Sequence, residues 1–403
     1  MTIINTCRER NIEDISVGPR IAQPLVSQEL AETTFVPSLS RRRENHPIEL
    51  IVDGIAEGVS GFAVHLRDWV RHLVRYGVKV QIPSHRNSEY PEIVKLHGTN
   101  VEHPVKLYFL PGGGFPPKNR KDMFTIGYTV FETNEFPEYF RDNAENVDLL
   151  WTSSKFCYDR YVKVGIPREK IEIFPEGVDT ELFNSMVPPL LKNREDSFIF
   201  GNVCGWSERK GISVLLNAYL KEFEREENCV LFISGGWYAK DHAIAEVESI
   251  KKEIRKANFP EVILDWTDRS DWEMPALFNS FDVLSYPSKG EGYCRPIVEA
   301  AACEIPVITT NAPPMSEVIN ESTGYMIDVE KVATEPRADW ICDFYKGRDF
   351  FHPDENDLRT KMRYVFEHYD EAKAKAKKGR EFVKKNHNTA FVVENVVKRL
   401  AKL

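Results

Sequence analysis

The sequence predicts an α/β protein with two doubly wound parallel sheets of similar size, facing each other across a cleft. Three observations point there. The chain has 403 residues, too long for one ordinary domain and suited to two. From residue 47 onward, short apolar runs alternate with helical patterns, the rhythm of parallel strands joined by right-handed crossovers. That rhythm breaks once, at 184–197 (NSMVPPLLKNREDS), where a Pro-Pro pair and a charged cluster mark a linker, and then resumes.

Residues 1–46 stand outside the rhythm. They are polar, contain Arg41-Arg42-Arg43 and show no sustained periodicity, so they are expected to form an N-terminal extension. The triplet reads either as a solvated linker or as a contact to an anionic membrane or substrate. The first domain, 47–190, has strands expected at 48–53, 78–82, 105–110, 124–131, 149–152 and 171–174. Between the first two, Val64, Leu66, Trp69, Val70, Leu73 and Val74 recur at the spacing of one helical face. The second domain, 191–387, has strands expected at 198–203, 230–234, 262–266, 283–286, 306–309 and 325–328, with helices at 212–222, 243–257 and 296–303. Residues 333–356 read as an aromatic-rich connection, and 391–403 as an amphipathic helix.

Composition narrows the function. Hydrophobic residues at 42% and charged residues at 29% are the balance of a soluble globular protein. A formal net charge of −9 argues against general nucleic-acid binding. No apolar run reaches the roughly 18 residues that span a bilayer, and the N-terminal MTIINTCRERNIEDI does not read as a secretory signal. Seven cysteines, an odd count without a C-x-x-C pair, argue against a disulfide framework or a zinc ribbon. A cytoplasmic protein is expected, with contact to a membrane surface left open through the arginine triplet or the basic stretch 373–385 (KAKAKKGREFVKK).

Ligands of doubly wound sheets bind at the carboxyl ends of the strands, so the loops there are where chemistry is sought. Three loops stand out. GIAEGVSGF at 54–62 follows a strand and opens a helix; Gly58 and Gly61 allow a backbone to approach a ligand, or simply make a tight turn. GWSERKG at 205–211 sets Arg209 and Lys210 just before a helix N-terminus, where dipole and cations favour a phosphate in the same direction. GEGYCRPIVEA at 290–300 puts Glu291 in a loop and Glu299 one turn into the helix that Pro296 opens. No Asp-x-Asp and no H-E-x-x-H occurs, so no metal site is expected.

The last segment, E-G-Y-C-R-P-x-x-E-A, resembles the E-G-F-G-L-P-x-x-E-A signature of the retaining GT-B glycosyltransferases called family 4, or glycosyl transferases group 1. Other segments fall in that family's order. GWSERKG is similar to its G-R-L-x-x-x-K-G loop, one residue shorter; FPEGVDTELF at 174–183 resembles I-P-N-G-V-D-x-x-x-F; LWTSSKF at 150–156 resembles V-W-V-x-S-x-F; and FDVLSYPS at 281–288 resembles A-D-V-F-V-x-P-S. The resemblance covers roughly 48–330. It implies two Rossmann-like domains: an N-terminal acceptor domain, completed by a C-terminal helix at about 388–403, and a C-terminal donor domain for a UDP- or GDP-linked sugar.

It also implies roles. Arg209 and Lys210 would contact the diphosphate, Glu299 the ribose and Glu291 the transferred sugar. The backbone of Gly292, Tyr293, Cys294 and Arg295 would cradle hydroxyls or phosphate, and Trp266 and Thr267 would meet the nucleobase. Glu132, in GYTVFET at 127–133, is the candidate for the position where many relatives carry a histidine. The expected reaction is metal-independent, retaining transfer of a hexose to a glycan, lipid-linked or protein-linked acceptor. The nucleotide sugar is then a substrate, and no cofactor is expected. Three departures stand against this. The family's phosphate-loop arginine is absent, its place being Trp206 or Gly205 according to the end counted from; Cys294 replaces a glycine; and the histidine is missing. They keep one alternative, a catalytically inactive sugar-nucleotide-binding module; a second, a GT-B nucleotide-sugar epimerase, is similar in fold, though the paired-glutamate motif fits transfer better.

Overall fold

The computed structural model describes residues 2–4, 41–42, 46–84, 88–118, 123–191, 197–236, 239–334 and 345–403. Most of the expected N-terminal extension lies outside the described residues, as does Arg43. The extension contributes strand β1 (Thr2–Ile4) and strand β2 (Arg41–Arg42), the latter pairing with β3 (His46–Pro47). The chain folds as two compact units. One holds the residues from β2 to Thr180 together with Lys385–Leu403; the other holds Glu181–Lys384 together with β1.

The N-terminal unit is a six-stranded, all-parallel sheet of β4 (Glu49–Gly54), β5 (Lys79–Gln81), β6 (Val105–Phe109), β7 (Thr125–Tyr128), β8 (Leu149–Thr152) and β9 (Ile171–Ile173), in the order β5-β4-β6-β7-β8-β9. β7 (TIGY) and β8 (LLWT) are buried throughout, which is why their sequences run apolar rather than alternating. The helix Gly61–Arg75 starts where Ser60 Oγ accepts the Ala63 N–H at 3.3 Å. It buries Ala63, Leu66, Trp69, Val70 and Leu73 against the sheet. The closing helix Thr389–Leu400 packs beside it and carries Val392, Val393, Val396, Val397 and Leu400 into the same core.

The C-terminal unit repeats the architecture. β10 (Phe198–Val203), β11 (Cys229–Ser234), β12 (Glu261–Asp265), β13 (Val283–Tyr286), β14 (Val307–Thr310) and β15 (Tyr325–Ile327) form a parallel sheet in the order β12-β11-β10-β13-β14-β15. β1 adds an antiparallel edge against β12. Its core joins Phe200, Leu231, Ile233, Leu264 and Val283 of the sheet to Leu215, Leu216 and Tyr219 of the helix Ile212–Glu222. Part of the expected aromatic-rich connection is instead a two-stranded antiparallel hairpin of β16 (Val329–Thr334) and β17 (Asp349–Pro353); 335–344 lies outside the described residues.

Each strand expected from the apolar runs is present, its ends shifted by at most a few residues. Both sheets reverse their winding once. In the N-terminal unit the reversal lies between β4 and β6, in the C-terminal unit between β10 and β13. Loops leaving the carboxyl ends of such neighbouring strands diverge to opposite faces and open a crevice between them. The loops with Gly58 and Gly61, with Arg209 and Lys210, and with Glu291 leave β4, β10 and β13, whereas Glu132 follows β7 and Trp266 and Thr267 follow β12.

Candidate functional site

In the C-terminal unit the loop after β10 and the loop after β13 meet at Gly211. Its φ is +69°, and a Cβ there would stand 1.9 Å from the Pro287 carbonyl oxygen, so only glycine lets the two loops touch. Further bonds hold the contact. The Lys289 N–H donates to the Arg209 carbonyl at 2.8 Å, and Lys289 Nζ pairs with Glu208 Oε1 at 2.5 Å. Thr309 Oγ1 and Thr310 Oγ1 of β14 donate to the carbonyls of Tyr286 and Ser288, and Asn202 Nδ2 of β10 to that of Ser285. The glutamate loop is thereby pinned from both neighbouring strands.

Glu291 is the centre of this arrangement. Its carboxylate is buried and accepts from Lys210 Nζ at 2.7 Å, Ser288 Oγ at 2.8 Å, Tyr286 OH at 3.3 Å and Arg209 Nη1 at 3.4 Å. Arg209 Nη1 also donates to the Gly290 carbonyl at 2.6 Å. Burial alone would raise the Glu291 carboxyl. The charges of Lys210 and Arg209, with the hydrogen bonds from Lys210 and Ser288, outweigh it and hold the carboxyl below the ordinary carboxylate range. Glu291 is therefore an ionised acceptor clamped by two cations, not a proton donor at neutral pH.

Two thiols lie close by. Burial pushes the Cys204 thiol up to about 12 and the Cys294 thiol well above its usual range, so neither is a thiolate nucleophile at neutral pH. Cys294, where the family pattern has glycine, keeps a left-handed backbone with φ +81° and caps the helix Arg295–Ala302.

The other expected residues of the C-terminal unit lie in the same loop, in the helix that follows it, before the helix Ile212–Glu222 and after β12. Gly292 and Tyr293 are buried in the same loop. Glu299 sits one turn into the helix, where Arg295 Nε and Nη2 both reach its Oε1 at 3.1 Å; both side chains are buried, so Arg295 turns inward. Trp206 is buried and donates from its indole to Glu246 at 2.9 Å, a core role that leaves the cationic one to Arg209 and Lys210. Trp266 follows β12, half-buried, with its ring 6.1 Å from that of Trp206; its indole N–H is buried and meets no acceptor among the described residues. Thr267 is exposed and donates to Asp265 Oδ1 at 2.8 Å.

Glu132, Gly58 and Gly61 lie in the N-terminal unit. Glu132 follows β7, half-buried, close enough for its charge to bear on Cys157 and Tyr161. Gly58 has φ +77° and Gly61 opens its helix.

Sequence reasoning missed three features. Arg67, fully buried, bridges the glycine-rich turn by donating to the carbonyls of Ala56 at 2.6 Å and Gly58 at 2.9 Å, its guanidinium 4.0 Å over the Tyr90 ring. Asp265 and Arg269 make a buried ion pair at the end of β12. Lys289 pairs with Glu208 beneath the cationic loop. The i, i+4 spacing of Asp265 and Arg269 was the one local signal available; the other pairings are long-range. Among the described residues, no group of three or more His, Cys, Asp or Glu side chains stands together to hold a metal ion. No described helix is long and apolar enough to cross a membrane.

Two Rossmann-like α/β units in one chain, with a cationic loop and a clamped glutamate at the switch point of the second, define the GT-B class. Residues 190–335, within the span of the C-terminal unit and the linker before it, match the model of the family described as glycosyl transferases group 1. The chain is similar to an MMP alpha-(1->4)-mannosyltransferase of Mycolicibacterium hassiacum, 27% identical over 176 residues, 43% of this chain and 39% of that protein. It is also similar to an O-antigen biosynthesis glycosyltransferase, WclY, of Escherichia coli, 23% identical over 193 residues, 43% of this chain and 49% of that protein. The chain thus spans half or less of the length of these curated relatives. Among solved structures, HepE of Anabaena in complex with UDP and glucose superposes with a TM-score of 0.66 at 13% identity, over 88% of this chain and 100% of that one. Sucrose-phosphate synthase from Thermosynechococcus elongatus gives 0.62 at 15% identity, over 87% and 97%. These likenesses show the fold.

Proposed function

We propose that the chain is a glycosyltransferase that moves a hexose from a UDP- or GDP-linked donor to a glycan or glycoconjugate acceptor, with retention of anomeric configuration and without a metal ion. The observation that carries this reading is the Arg209–Lys210–Glu291 cluster at the switch point of the unit matching glycosyl transferases group 1. A diphosphate leaving group needs its developing charge met, and two fixed cations beside a helix start do this without reorganisation. The donor diphosphate competes with Glu291 for Arg209 and Lys210, which brings that carboxylate to the transferred sugar. Glu299 then serves the ribose. In retaining transfer, the bond from the anomeric carbon to the diphosphate breaks as the acceptor oxygen bonds from the same face. The acceptor proton passes to the departing phosphate oxygen. Neither glutamate is a covalent nucleophile in this scheme, so the two-carboxylate hydrolase pattern does not apply.

The test is donor hydrolysis across UDP-, GDP-, ADP- and dTDP-sugars, with and without EDTA, read by mass spectrometry. One nucleotide released slowly and equally in EDTA is the expected result. Activity abolished by EDTA would overturn metal independence, and a changed sugar without acceptor would turn the reading to an epimerase. Nucleotide binding without turnover, in the presence of a broad acceptor panel, would turn it to an inactive binding module.

A further inference from the structure

The β16–β17 hairpin is joined to the cationic loop through a chain of short bonds. The Phe351 N–H of β17 donates to the Lys289 carbonyl at 3.0 Å, and the Lys289 N–H donates to the Arg209 carbonyl at 2.8 Å. The hairpin is itself firm. Its strands pair from Val329↔Pro353 to Thr334↔Asp349, His352 Nε2 lies 3.0 Å from the Ala333 carbonyl, and Phe350 is buried. Tyr345, four residues before β17, packs its ring 6.0 Å from that of Phe350, edge to face. On the other side the Arg209 guanidinium carbon stands 5.8 Å from the centroid of the Tyr345 ring. Arg209 is thus bounded by the Glu291 carboxylate, the Gly290 carbonyl and an aromatic face.

We infer that Tyr345 is a positioning residue of the donor site, holding the Arg209 guanidinium by its π face so that the cation is aimed where a nucleoside diphosphate would lie. The inference rests on the donor-site reading above. A flexible arginine loses rotamer freedom when it engages a phosphate, and a ring that already restricts it lowers that loss. The interaction is electrostatic, so it depends on an aromatic face and not on the phenolic hydroxyl. The hairpin thereby becomes part of the nucleotide site, although it sits beyond the segments that resemble the family and ends outside the matched region.

The experiment is calorimetric titration of UDP and GDP into the full chain and into Tyr345→Leu, Tyr345→Phe, Arg209→Ala and Arg209→Ala/Tyr345→Leu, with each variant's melting curve recorded. Tyr345→Leu is expected to weaken nucleotide binding about threefold to tenfold at an unchanged melting temperature, and Tyr345→Phe to bind as the parent does. In the Arg209→Ala background, Tyr345→Leu is expected to change nothing further, because the cation it positions is gone. The same loss in both backgrounds, or no loss in Tyr345→Leu, overturns the inference and leaves the donor-site reading intact. No binding of either nucleotide by the parent chain overturns that reading and the inference with it. Should Tyr345→Leu melt lower, the Tyr345→Phe comparison and the double-variant cycle still decide between positioning and support.

Discussion

At Cys294 the backbone takes a left-handed turn, φ +81°, that glycine adopts freely and cysteine does not. The carry-over from the family pattern marked the position, because the resembling motif has glycine there; the sequence by itself gives no sign of the strain. Cys294→Ala removes the thiol and keeps the strain, whereas Cys294→Gly removes both. Cys294→Gly is therefore expected to be more stable than Cys294→Ala by about 1 kcal/mol in urea unfolding; equal stabilities would show that the turn is unstrained. Glu291 gives a prediction in pH. Its folded carboxyl is held below its ordinary value of 4.5, so the unfolded chain binds the proton more readily. The stability contributed by the clamp is then complete above that ordinary value and is lost as the pH falls through the folded one. The stability gap between the parent and Glu291→Gln should stay constant from neutral pH to about 5 and narrow below it. A gap that widens on acidification would mean that Glu291 is protonated in the folded state. The motif announced the glutamate and both cations, but not that they would bind one another, because 81 and 82 residues separate them.

Elements were read from periodicity, and periodicity reports burial. The face of the helix Gly61–Arg75 that carries Leu66, Trp69, Val70 and Leu73 was legible for that reason. Arg67 was not. In a helical pattern it occupies what looks like a solvated position, and the carbonyls it serves lie 9 and 11 residues earlier, on a turn whose path no spacing rule encodes. Replacing it by methionine keeps the length and strands the carbonyls of Ala56 and Gly58 without their charged donor. Arg67→Met should cost about 2–4 kcal/mol in urea unfolding and expose 54–61 to limited proteolysis. A loss under about 0.5 kcal/mol would show that the turn holds its own shape. The β16–β17 hairpin escaped the sequence for a related reason. Its first strand, VEKVAT, is mostly exposed and its second, DFFHP, mixes buried and part-exposed positions, so neither has the continuous apolar run that marked the strands of the two parallel sheets.

For the whole molecule, the closing helix matters most. Its amphipathic pattern was plain, but a pattern names a buried face and not the core that receives it; the family resemblance suggested the first domain. The structure seats Val392, Val393, Val396, Val397 and Leu400 in the N-terminal core, each almost fully buried. At about 1.5–3 kcal/mol for each buried aliphatic side chain, the helix carries as much as the entire stability of an ordinary domain. Deletion of 389–403 should therefore abolish one calorimetric transition, that of the N-terminal unit. The C-terminal unit, whose core runs from Phe200 to Ala372, should keep its own. A truncated chain with both transitions unshifted would contradict this account.

The same seating sets an order on how the molecule comes into being. A ribosome delivers residues from Thr2 toward Leu403. The sheet from β4 to β9 emerges early, yet the helix that seals it leaves the exit tunnel only after every strand of the other unit's parallel sheet. The later-made unit has every strand of its parallel sheet, and β1, in hand before that helix appears. The half translated first thus matures last, and during the intervening synthesis of some two hundred residues its apolar seam stays open, the interval in which a chaperone would find it.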